Sequence, residues 1–403
     1  MRQRPHQPEA PRPRRRISHR SPLHHPRIGP LSLPPELAAD SVEFKLGLPS
    51  AEELQSAVRT TLVELGASQG ISDTLDAVAL SQIAKNLVGL SEEEALRVLR
   101  QCVLARGRAD AGLLDDVAEG KRQALHTEGL LENVKRDASF QDVVGLQRLR
   151  DWIAKRKSAW TPEGRQFGLV PPKGILITGV QGCGKSLAAR AVAGEWGYDL
   201  VRMDAGALYD KFVGESEKHL RKPLELAQKL APVVLWIDEI EKAFASAGSS
   251  SDADAGLSQR LLATLLTWMQ DREGGVFLAA TSNNITVLPP EMLRKGRFDE
   301  IFFVDLPNVQ IRAALFALHL KKRSRDAAGF DTARLAQASE GYSGAEIEQT
   351  IVSGLYTAFS QKQQLSTEIL RSEIKSTQPL SVTRAEEIAA IRDWAKNRAT
   401  PAD

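Results

Sequence analysis

After a polar N-terminal stretch, apolar residues recur at helical spacing through the first third of the chain. Four segments place their apolar residues three and four positions apart, which predicts amphipathic helices. They are 51–65, 74–89, 91–107 and 115–127. Ser91 followed by Glu94 is a capping-box sequence, so the third helix is expected to begin there. Residues 36–135 are therefore predicted to form a mostly helical domain.

The pattern then changes to short, continuous apolar runs separated by helical stretches, which predicts a parallel sheet covered on both faces. The runs are GILITGV (174–180), LVRMDA (200–205), VVLWIDE (233–239), VFLAATS (276–282) and IFFVDLP (301–307). Residues 136–307 are thus predicted to be an α/β domain, and residues 308–403 a helical C-terminal region. Within the α/β domain, SAGSSSDADAG (246–256) is expected to be a loop.

Composition changes this picture only at the N-terminus. The 403 residues hold 53 Lys and Arg against 51 Asp and Glu, which leaves no global field to attract nucleic acid or a membrane. Residues 1–35 are rich in Arg, Pro and His and are expected to be a solvated tail, or to be translated from an upstream start codon. A transit peptide and a phosphate-binding arm are the alternatives.

The remaining composition bears on the compartment. No apolar run reaches the length of about 18 residues that a membrane span needs. The two cysteines, Cys102 and Cys183, predict neither a disulfide framework nor a metal site. A reducing compartment, the cytoplasm, is therefore the default expectation.

GVQGCGKS (179–186) has the spacing of a phosphate-binding loop and lies between a predicted strand and a predicted helix, the context that this motif requires. Its glycines let backbone N–H groups surround phosphate oxygens, and the helix adds the positive end of its dipole. Lys185 is expected to reach the β- and γ-phosphates of ATP, and Ser186 to coordinate Mg²⁺. The predicted nucleotide-binding residues here are Gly179, Gly182, Cys183, Gly184, Lys185, Ser186 and Leu187.

Cys183 lies inside this loop, next to the N-terminus of the predicted helix. The helix dipole would lower the pKa of its thiol, and oxidation of the thiolate would then block ATP binding. More often such a position simply tolerates any small side chain, and this is the interpretation we favour.

Polar residues follow two further predicted strands. Asp238 and Glu239 end the run VVLWIDE, and Asn283 follows VFLAATS. Because ligands bind at the carboxyl edge of an open parallel sheet, these side chains are expected to meet the phosphate loop. Asp238 would hold Mg²⁺ through water, Glu239 would polarise the attacking water, and Asn283 would hydrogen-bond that water or the γ-phosphate. A helix cap and a turn-forming Asn are the structural alternatives.

Two arginines, Arg294 and Arg297, follow in the segment LRKGRFDE. An arginine that reaches the γ-phosphate stabilises transition-state charge and is worth about 10³–10⁵ in rate. Both lie far along the chain from the phosphate loop, so they are expected to act across a subunit contact. Surface salt bridges are the alternative.

Together, SFQDVVGL (139–146), the phosphate loop, WIDE, ATSN, LRKGRFD and GYSGAEI resemble the AAA family of ATPases over residues 136–360. The resemblance implies a P-loop domain with a five-stranded parallel sheet, a helical lid, and a ring of about six identical subunits. By the family pattern Asp142, Val143 and Gly145 border the adenine, and Gly344 and Ala345 begin a lid helix at the nucleotide.

A narrower resemblance covers roughly residues 40–400. GLLENV, DWIAKRKSAW and LATLLTWMQ, with the phosphate loop and the arginine segment, look like an AAA family encoded in algal plastids and cyanobacteria. This resemblance adds the plastid stroma as an expected compartment.

LYDKFVGESEKHLRK (208–222) lies after the second strand. In similar AAA rings this loop lines a central channel and grips an extended polypeptide, here through Phe212, Val213 and Gly214. Local packing of Phe212 is the alternative. The predicted function is an ATPase ring, with ATP and Mg²⁺, that remodels or threads an unidentified protein. The alternatives are an ATP-gated assembly switch and a nucleic-acid motor, against which the balanced charge argues.

One pattern occurs twice. Gly-x-Ser-x-x-Glu is found at residues 89–94 and 341–346, and a Pro turn precedes each region, at Pro49 and at Pro307. We interpret residues 40–110 as a second lid, from an AAA module whose nucleotide domain is missing. Chance similarity between two helical bundles is the alternative. A lid without a nucleotide would serve as the adaptor that selects the partner.

Overall fold

A computed structural model of the chain describes residues 48–124, 131–134, 138–206, 216–248, 252–272 and 274–403. All of them fall within one structural unit, Leu48–Asp403. The tail of residues 1–35 and the channel residues Phe212, Val213 and Gly214 lie outside the described residues, so the expectations for them stay predictions.

The first four described helices form a bundle with its own core. They are α1 (Ala51–Gln69), α2 (Ala77–Leu87), α3 (Glu92–Arg106) and α4 (Leu113–Ala124), joined by the parallel pair β1 (Ser72–Asp73) and β2 (Arg108–Ala109). Leu54, Leu87 and Leu99 are fully buried in this core. Ser91 forms the predicted capping box with Glu94. The mostly helical N-terminal region is therefore confirmed.

A seven-stranded sheet forms the centre of the following region. Its strands are β3 (Leu131–Val134), β4 (Gly174–Gly179), β5 (Asp199–Asp204), β6 (Val233–Asp238), β7 (Val276–Ser282), β8 (Glu300–Val304) and β9 (Thr400–Pro401). They lie in the order β3-β5-β6-β7-β4-β8-β9. The five central strands are parallel, which confirms the predicted α/β sheet. β3 is antiparallel to β5, and β9 is parallel to β8.

Three expectations differ from the structure. β3 lies in the segment assigned to the helical domain, so the sheet begins before residue 136. β9 interrupts a C-terminal region expected to be helical throughout. The expected loop 246–256 is helical where it is described, because a 3-10 helix spans Ile240–Gly248 and α9 begins at Asp252. Short edge strands are ordered by pairing with a distant neighbour, which the local pattern of apolar residues does not report.

Helices cover both faces of the sheet. Ile175 and Ile177 of β4 enter a core with α7 (Lys185–Trp196) and α5 (Gln147–Arg156). Leu176, between them, enters the opposite core with α8 (Ser216–Lys229) and α9 (Asp252–Asp271). A short helix α6 (Pro162–Gln166) precedes β4. Burial on both faces explains why these strands are continuous apolar runs.

The C-terminal helices form a second bundle. They are α10 (Val309–Lys322), α11 (Thr332–Ala338), α12 (Gly344–Ser360) and α13 (Thr367–Ser376), followed by α14 (Leu380–Thr383) and α15 (Ala385–Ala395). Ser343 and Glu346 form a capping box like that of Ser91 and Glu94. In both bundles the helices that pack most extensively are first with second, first with third, second with fourth, and third with fourth. The two bundles thus share order and packing topology.

The N-terminal bundle contacts the amino end of the sheet. Lys121 Nζ donates a hydrogen bond of 2.6 Å to the carbonyl oxygen of Val88, beside a recess lined by both the bundle and the first residues of β5. Gly89, with φ of 98°, lies against the end of α8, where a Cβ would be 1.6 Å from the carbonyl oxygen of Lys229. The bundle is therefore on the opposite side of the sheet from the strands' carboxyl ends.

This contact generates a stability prediction. Gly89→Ala adds a Cβ that meets the Lys229 carbonyl, whereas Gly107→Ala, at a similar positive φ of 75°, adds one with no atom within 4 Å. Gly107→Ala is expected to lower the free energy of unfolding by about 1 kcal/mol from backbone strain alone. Gly89→Ala is expected to cost a further ~1–3 kcal/mol from the clash. Urea denaturation of both variants measures the difference, and equal losses would contradict the contact.

Candidate active site

A cavity of about 360 Å³ opens at the carboxyl edge of the sheet. Its walls come from the loop before α5, the loop between β4 and α7, the end of β6, and the lid helices α10 and α12. The motifs that are distant in sequence thus meet at one place, as expected for an open parallel sheet.

The phosphate loop follows β4 and ends at α7. Gly182 and Gly184 have φ of 77° and 88°, a region that L side chains rarely adopt. A Cβ on Gly182 would lie 2.9 Å from the hydroxyl of Ser343, and the amide of Ala345 donates to the Gly182 carbonyl at 3.0 Å. Only glycine therefore lets the start of α12 lie directly against this loop.

Lys185 is buried at the base of the loop. Its Nζ donates hydrogen bonds of 2.9 Å to the carbonyl oxygens of Gly179 and Val180. Burial lowers the pKa of Lys185 to about 8, although the neighbouring acids Asp238 and Glu239 act in the opposite direction. The cation is thus held at a buried site, where an anion would interact with it strongly.

Asp238 ends β6 and accepts two hydrogen bonds on one oxygen. Ser186 Oγ donates to Oδ1 at 2.9 Å, and Thr281 Oγ1 donates to the same atom at 2.5 Å. A hydroxyl and a carboxylate are the hard oxygen ligands that Mg²⁺ prefers, so the pair fits this ion. Among the described residues no group of three or more His, Cys, Asp or Glu forms a metal site. The remaining ligands would be waters and phosphate oxygens, which is how Mg²⁺ is usually held.

Glu239 and Asn283 both line the cavity and contact each other. Asn283 Nδ2 donates to Glu239 Oε1 at 2.7 Å, and Lys242 forms an ion pair with the other carboxylate oxygen. The amide of Glu239 donates to Thr281 Oγ1 at 3.0 Å, and the amide of Asn283 donates to Glu241 Oε1 at 2.8 Å. Glu239 has φ of 50°, a strained conformation that such bonds maintain. The Glu239 carboxylate is held in this way in the wall of the cavity.

Most of the residues expected at the adenine also line the cavity. Asp142, Val143, Gly344 and Ala345 line the cavity. Gly145 does not, but its neighbours on both sides do, and its φ is 77°. The loop before α5 and the start of α12 thus both contribute to the wall of the cavity.

Cys183 and Leu187 also line the cavity, and the less favoured interpretation of Cys183, a reactive thiol, is wrong. Burial raises the pKa of the Cys183 thiol to about 12, and the positive charge of Lys185 offsets only part of this. The cost of desolvating a thiolate outweighs the helix dipole. The protonated thiol agrees with a small side chain that is tolerated in the loop.

Arg294 and Arg297 do not line the cavity. They lie in a separate recess of about 410 Å³ together with Lys173 and Lys295. The buried Nη1 of Arg297 has no hydrogen-bond partner among the described residues. Within one chain, these cations are therefore not brought to the nucleotide.

Several residues at or beside the cavity were missed by the sequence interpretation. Thr281 donates a hydrogen bond to Asp238 and accepts one from the amide of Glu239. The β6–β7 register would have identified it, because the pairing of Ile237 with Ala280 places Thr281 beside Asp238. His319, Lys322 and Glu348 of the lid and Asp403 also line the cavity. No local motif marks them, because the packing of the lid and the C-terminal strand brings them there.

Comparison with known proteins agrees with this site. Residues 175–306 match the family model of the ATPase family associated with various cellular activities (AAA). Residues 52–128 match a family model described as the second domain of SpoVK-like AAA ATPases.

Three relatives show how far the likeness extends. The uncharacterized AAA domain-containing protein ycf46 of Pyropia yezoensis is 38% identical over 351 residues, 87% of this chain and 70% of that protein. Its namesake in Guillardia theta is 36% identical over 366 residues, 91% of this chain and 71% of that protein. The proteasome-activating nucleotidase of Aeropyrum pernix is 36% identical over 200 residues, 48% of each chain.

The fold and the cavity thus define an ATP-binding and ATP-hydrolysing enzyme of the P-loop class, as predicted. The ycf46 proteins match most of this chain at 35–39% identity, and it belongs with them to the AAA ATPases. Across the part of the chain that the structure describes, none of the helices has the length and apolar character of a membrane span.

The burial of Lys185 generates a pH prediction. Because its pKa is lowered to about 8, raising the pH through 8 to 9.5 neutralises the amine, and phosphate binding must then take up a proton. The dissociation constant of a fluorescent ATP analogue is expected to rise by up to about tenfold per pH unit above 8. Lys185→Arg is the control, because a guanidinium stays charged over this range. A flat wild-type profile, or the same slope in both proteins, would contradict the assignment.

Proposed function

We propose that the protein assembles into a homo-oligomeric ring, a hexamer, that uses Mg²⁺-dependent ATP hydrolysis to remodel or thread a protein substrate. The observation that carries this proposal is the separation of the cavity from the arginine recess. No arginine is among the described residues that line the cavity, whereas Arg294 and Arg297 lie together in another recess of the same chain. A second copy would supply them to the γ-phosphate.

Two exposed apolar surfaces support a head-to-tail contact between copies. Phe167 and Val170, before β4, are 84% and 82% exposed. Tyr356 and Phe359, on the lid helix α12, are 76% and 86% exposed. Because the two surfaces are different parts of the chain, a contact between them is heterologous, and such contacts form a ring when the rotation closes.

The residues of the cavity would divide the chemistry between them. When bound, Mg²⁺-ATP supplies the phosphoanhydride bond that is cleaved, and Ser186 and Asp238 would hold the ion. Lys185 binds the β- and γ-phosphates, and Glu239 accepts a proton from the attacking water while Asn283 keeps its carboxylate in place. Arg294 of a neighbouring copy neutralises charge on the γ-phosphate in the transition state.

The N-terminal bundle is proposed to be a lid-like remnant of a second AAA module. Its helix order and its four packed helix pairs match those of the lid, and a Pro precedes the first N-cap in both, Pro49 before Ser50 and Pro307 before Asn308. The match of residues 52–128 to an AAA family model supports the same origin. Because the bundle lines a recess at the amino end of the sheet, away from the ATPase cavity, we assign it the role of an adaptor that recruits the substrate.

The remaining parts of the proposal concern setting and substrate. The free cysteines Cys102 and Cys183 support a reducing compartment, which is the cytoplasm or, in an algal cell, the plastid stroma. The name of the Aeropyrum relative, a proteasome-activating nucleotidase, supports a protein as the substrate class. The channel loop around Phe212 would grip an extended segment of that protein.

Mixed subunits test the shared catalytic site. Glu239→Gln alone is expected to bind ATP without hydrolysing it, and Arg294→Ala alone to lose hydrolysis by about 10³-fold or more. A one-to-one mixture is expected to recover up to about a quarter of wild-type turnover, because a wild-type Glu239 then meets a neighbour's Arg294. Steady-state phosphate release measures it. A mixture as inactive as its components would show that Arg294 does not act across a subunit contact.

The choice between threading and an assembly switch depends on Phe212. Protein retained by the Glu239→Gln variant in ATP is identified by mass spectrometry after affinity capture. Phe212→Ala in that background is expected to release it, because a threaded chain loses its apolar grip, while Phe212→Tyr retains it. If the alanine variant retains the same protein through its N-terminal bundle, threading is wrong and the switch is favoured.

A further inference from the structure

The segment Thr400–Asp403 reaches the cavity from outside the ATPase motifs. As β9 it extends the sheet beside β8, and the amide of Ala402 donates to the carbonyl of Phe303 at 2.9 Å. Ala402 is 1% exposed in the core that contains α5 and α7, and its carbonyl accepts from the amide of Leu149 at 3.2 Å. Thr400 Oγ1 donates to Glu300 Oε1 at 3.1 Å. The segment is thus built into the sheet and into the start of α5.

Asp403 connects this segment to the loop that borders the proposed adenine site. The buried Leu146, with φ of 57°, donates its amide hydrogen to Asp403 Oδ1 at 2.5 Å. A Cβ on the preceding Gly145 would lie 2.8 Å from the same oxygen. Two successive left-handed residues, one of which has to be glycine, therefore fold around this carboxylate.

The same carboxylate lies in the wall of the cavity. Asp403 lines it together with Val143, Val144 and Leu146. A second link comes from α15, where Arg392 forms an ion pair of 2.8 Å with Asp305, which is also a cavity residue. The C-terminal region is thus attached to the wall of the cavity at two points, while no contact joins Asp403 to Lys185, Asp238 or Glu239 among the described residues.

We propose that Asp403 is a positioning residue for the base of the nucleotide, and that the pairing of β9 with β8 carries this one residue of the segment to the wall of the nucleotide pocket. It acts through Leu146 by holding residues 143–146 in the shape that contacts the adenine, and so sets the affinity for ATP and ADP. The phosphate end is independent of it, so the hydrolysis step is not affected. This inference rests on the proposed binding of ATP in this cavity.

Three variants test it by steady-state kinetics and by binding of a fluorescent ADP. Asp403→Ala removes the acceptor of the Leu146 amide and is expected to raise KM for ATP and Kd for ADP about five- to tenfold, with kcat within about twofold of wild type. Asp403→Asn keeps an acceptor at Oδ1 and is expected to stay near wild type. Thr400→Val, three residues away in the same segment, removes the hydrogen bond to Glu300 of β8 and leaves the loop of residues 143–146 unchanged. It is therefore expected to leave KM unchanged.

The results that overturn the inference are separate from those that overturn the proposed function. An unchanged KM in Asp403→Ala, a fall in kcat alone, or an equal rise of KM in Thr400→Val would each show that Asp403 does not position the base. If wild type neither binds nor hydrolyses ATP, the proposed function fails instead.

Hydrogen exchange tests the same inference on the wild-type protein, so it does not depend on whether a variant folds. Hydrogen exchange is expected to slow on addition of ADP in the peptides that contain Leu146 and Thr400–Asp403 together, because the base stabilises the loop that the segment holds. Exchange that slows in the phosphate loop and not in the C-terminal peptide would overturn the inference.

Discussion

One oxygen of Asp238 accepts hydrogen bonds from two parts of the chain, and the site depends on this convergence. Ser186 donates from the start of α7, and Thr281 donates from the end of β7. Because the central strands are parallel and buried on both faces, their polar ends meet only at the open carboxyl edge. Thr281 also accepts from the amide of Glu239 and so helps to hold that residue at its positive φ. The proposed Mg²⁺ ligand and the proposed base are thereby fixed to each other.

The parts of this site that the sequence predicted are the local ones. The phosphate loop and Asp238–Glu239 each directly follow an apolar strand, so the motif and its structural context are read from the same few residues. Thr281 needed the register between β6 and β7, which apolar periodicity does not contain. The raised pKa of Cys183 needed its burial, and the position of Asp403 needed the pairing of β9 with β8. Each miss is a contact between segments distant in sequence.

The sheet also separates the ATPase from the proposed adaptor. β6 begins at Val233, near the recess that the N-terminal bundle lines, and ends at Asp238 in the catalytic edge. A strand of this length spans about 17 Å and, being close-packed on both faces, moves as a rigid body. The bundle contacts the adjacent helix α8 through Gly89 and Lys229. A displacement of the N-terminal bundle would therefore move β6 and α8 as a unit and would reach the cavity at the carboxyl edge of the sheet.

The lid differs from the adaptor because it contacts the nucleotide cavity directly. Its α12 begins against Gly182 of the phosphate loop, and the first residues of α12 line the cavity. In the proposed ring, the neighbour's Arg294 completes the phosphate end, and the chain's own Asp403 completes the base end. Nucleotide affinity and the rate of hydrolysis then depend on different elements. The base end sets how long a nucleotide stays bound, and the phosphate end sets when it is hydrolysed. A ring built in this way can hold ATP in one subunit until its neighbour is in place, which sequential action on one polypeptide requires.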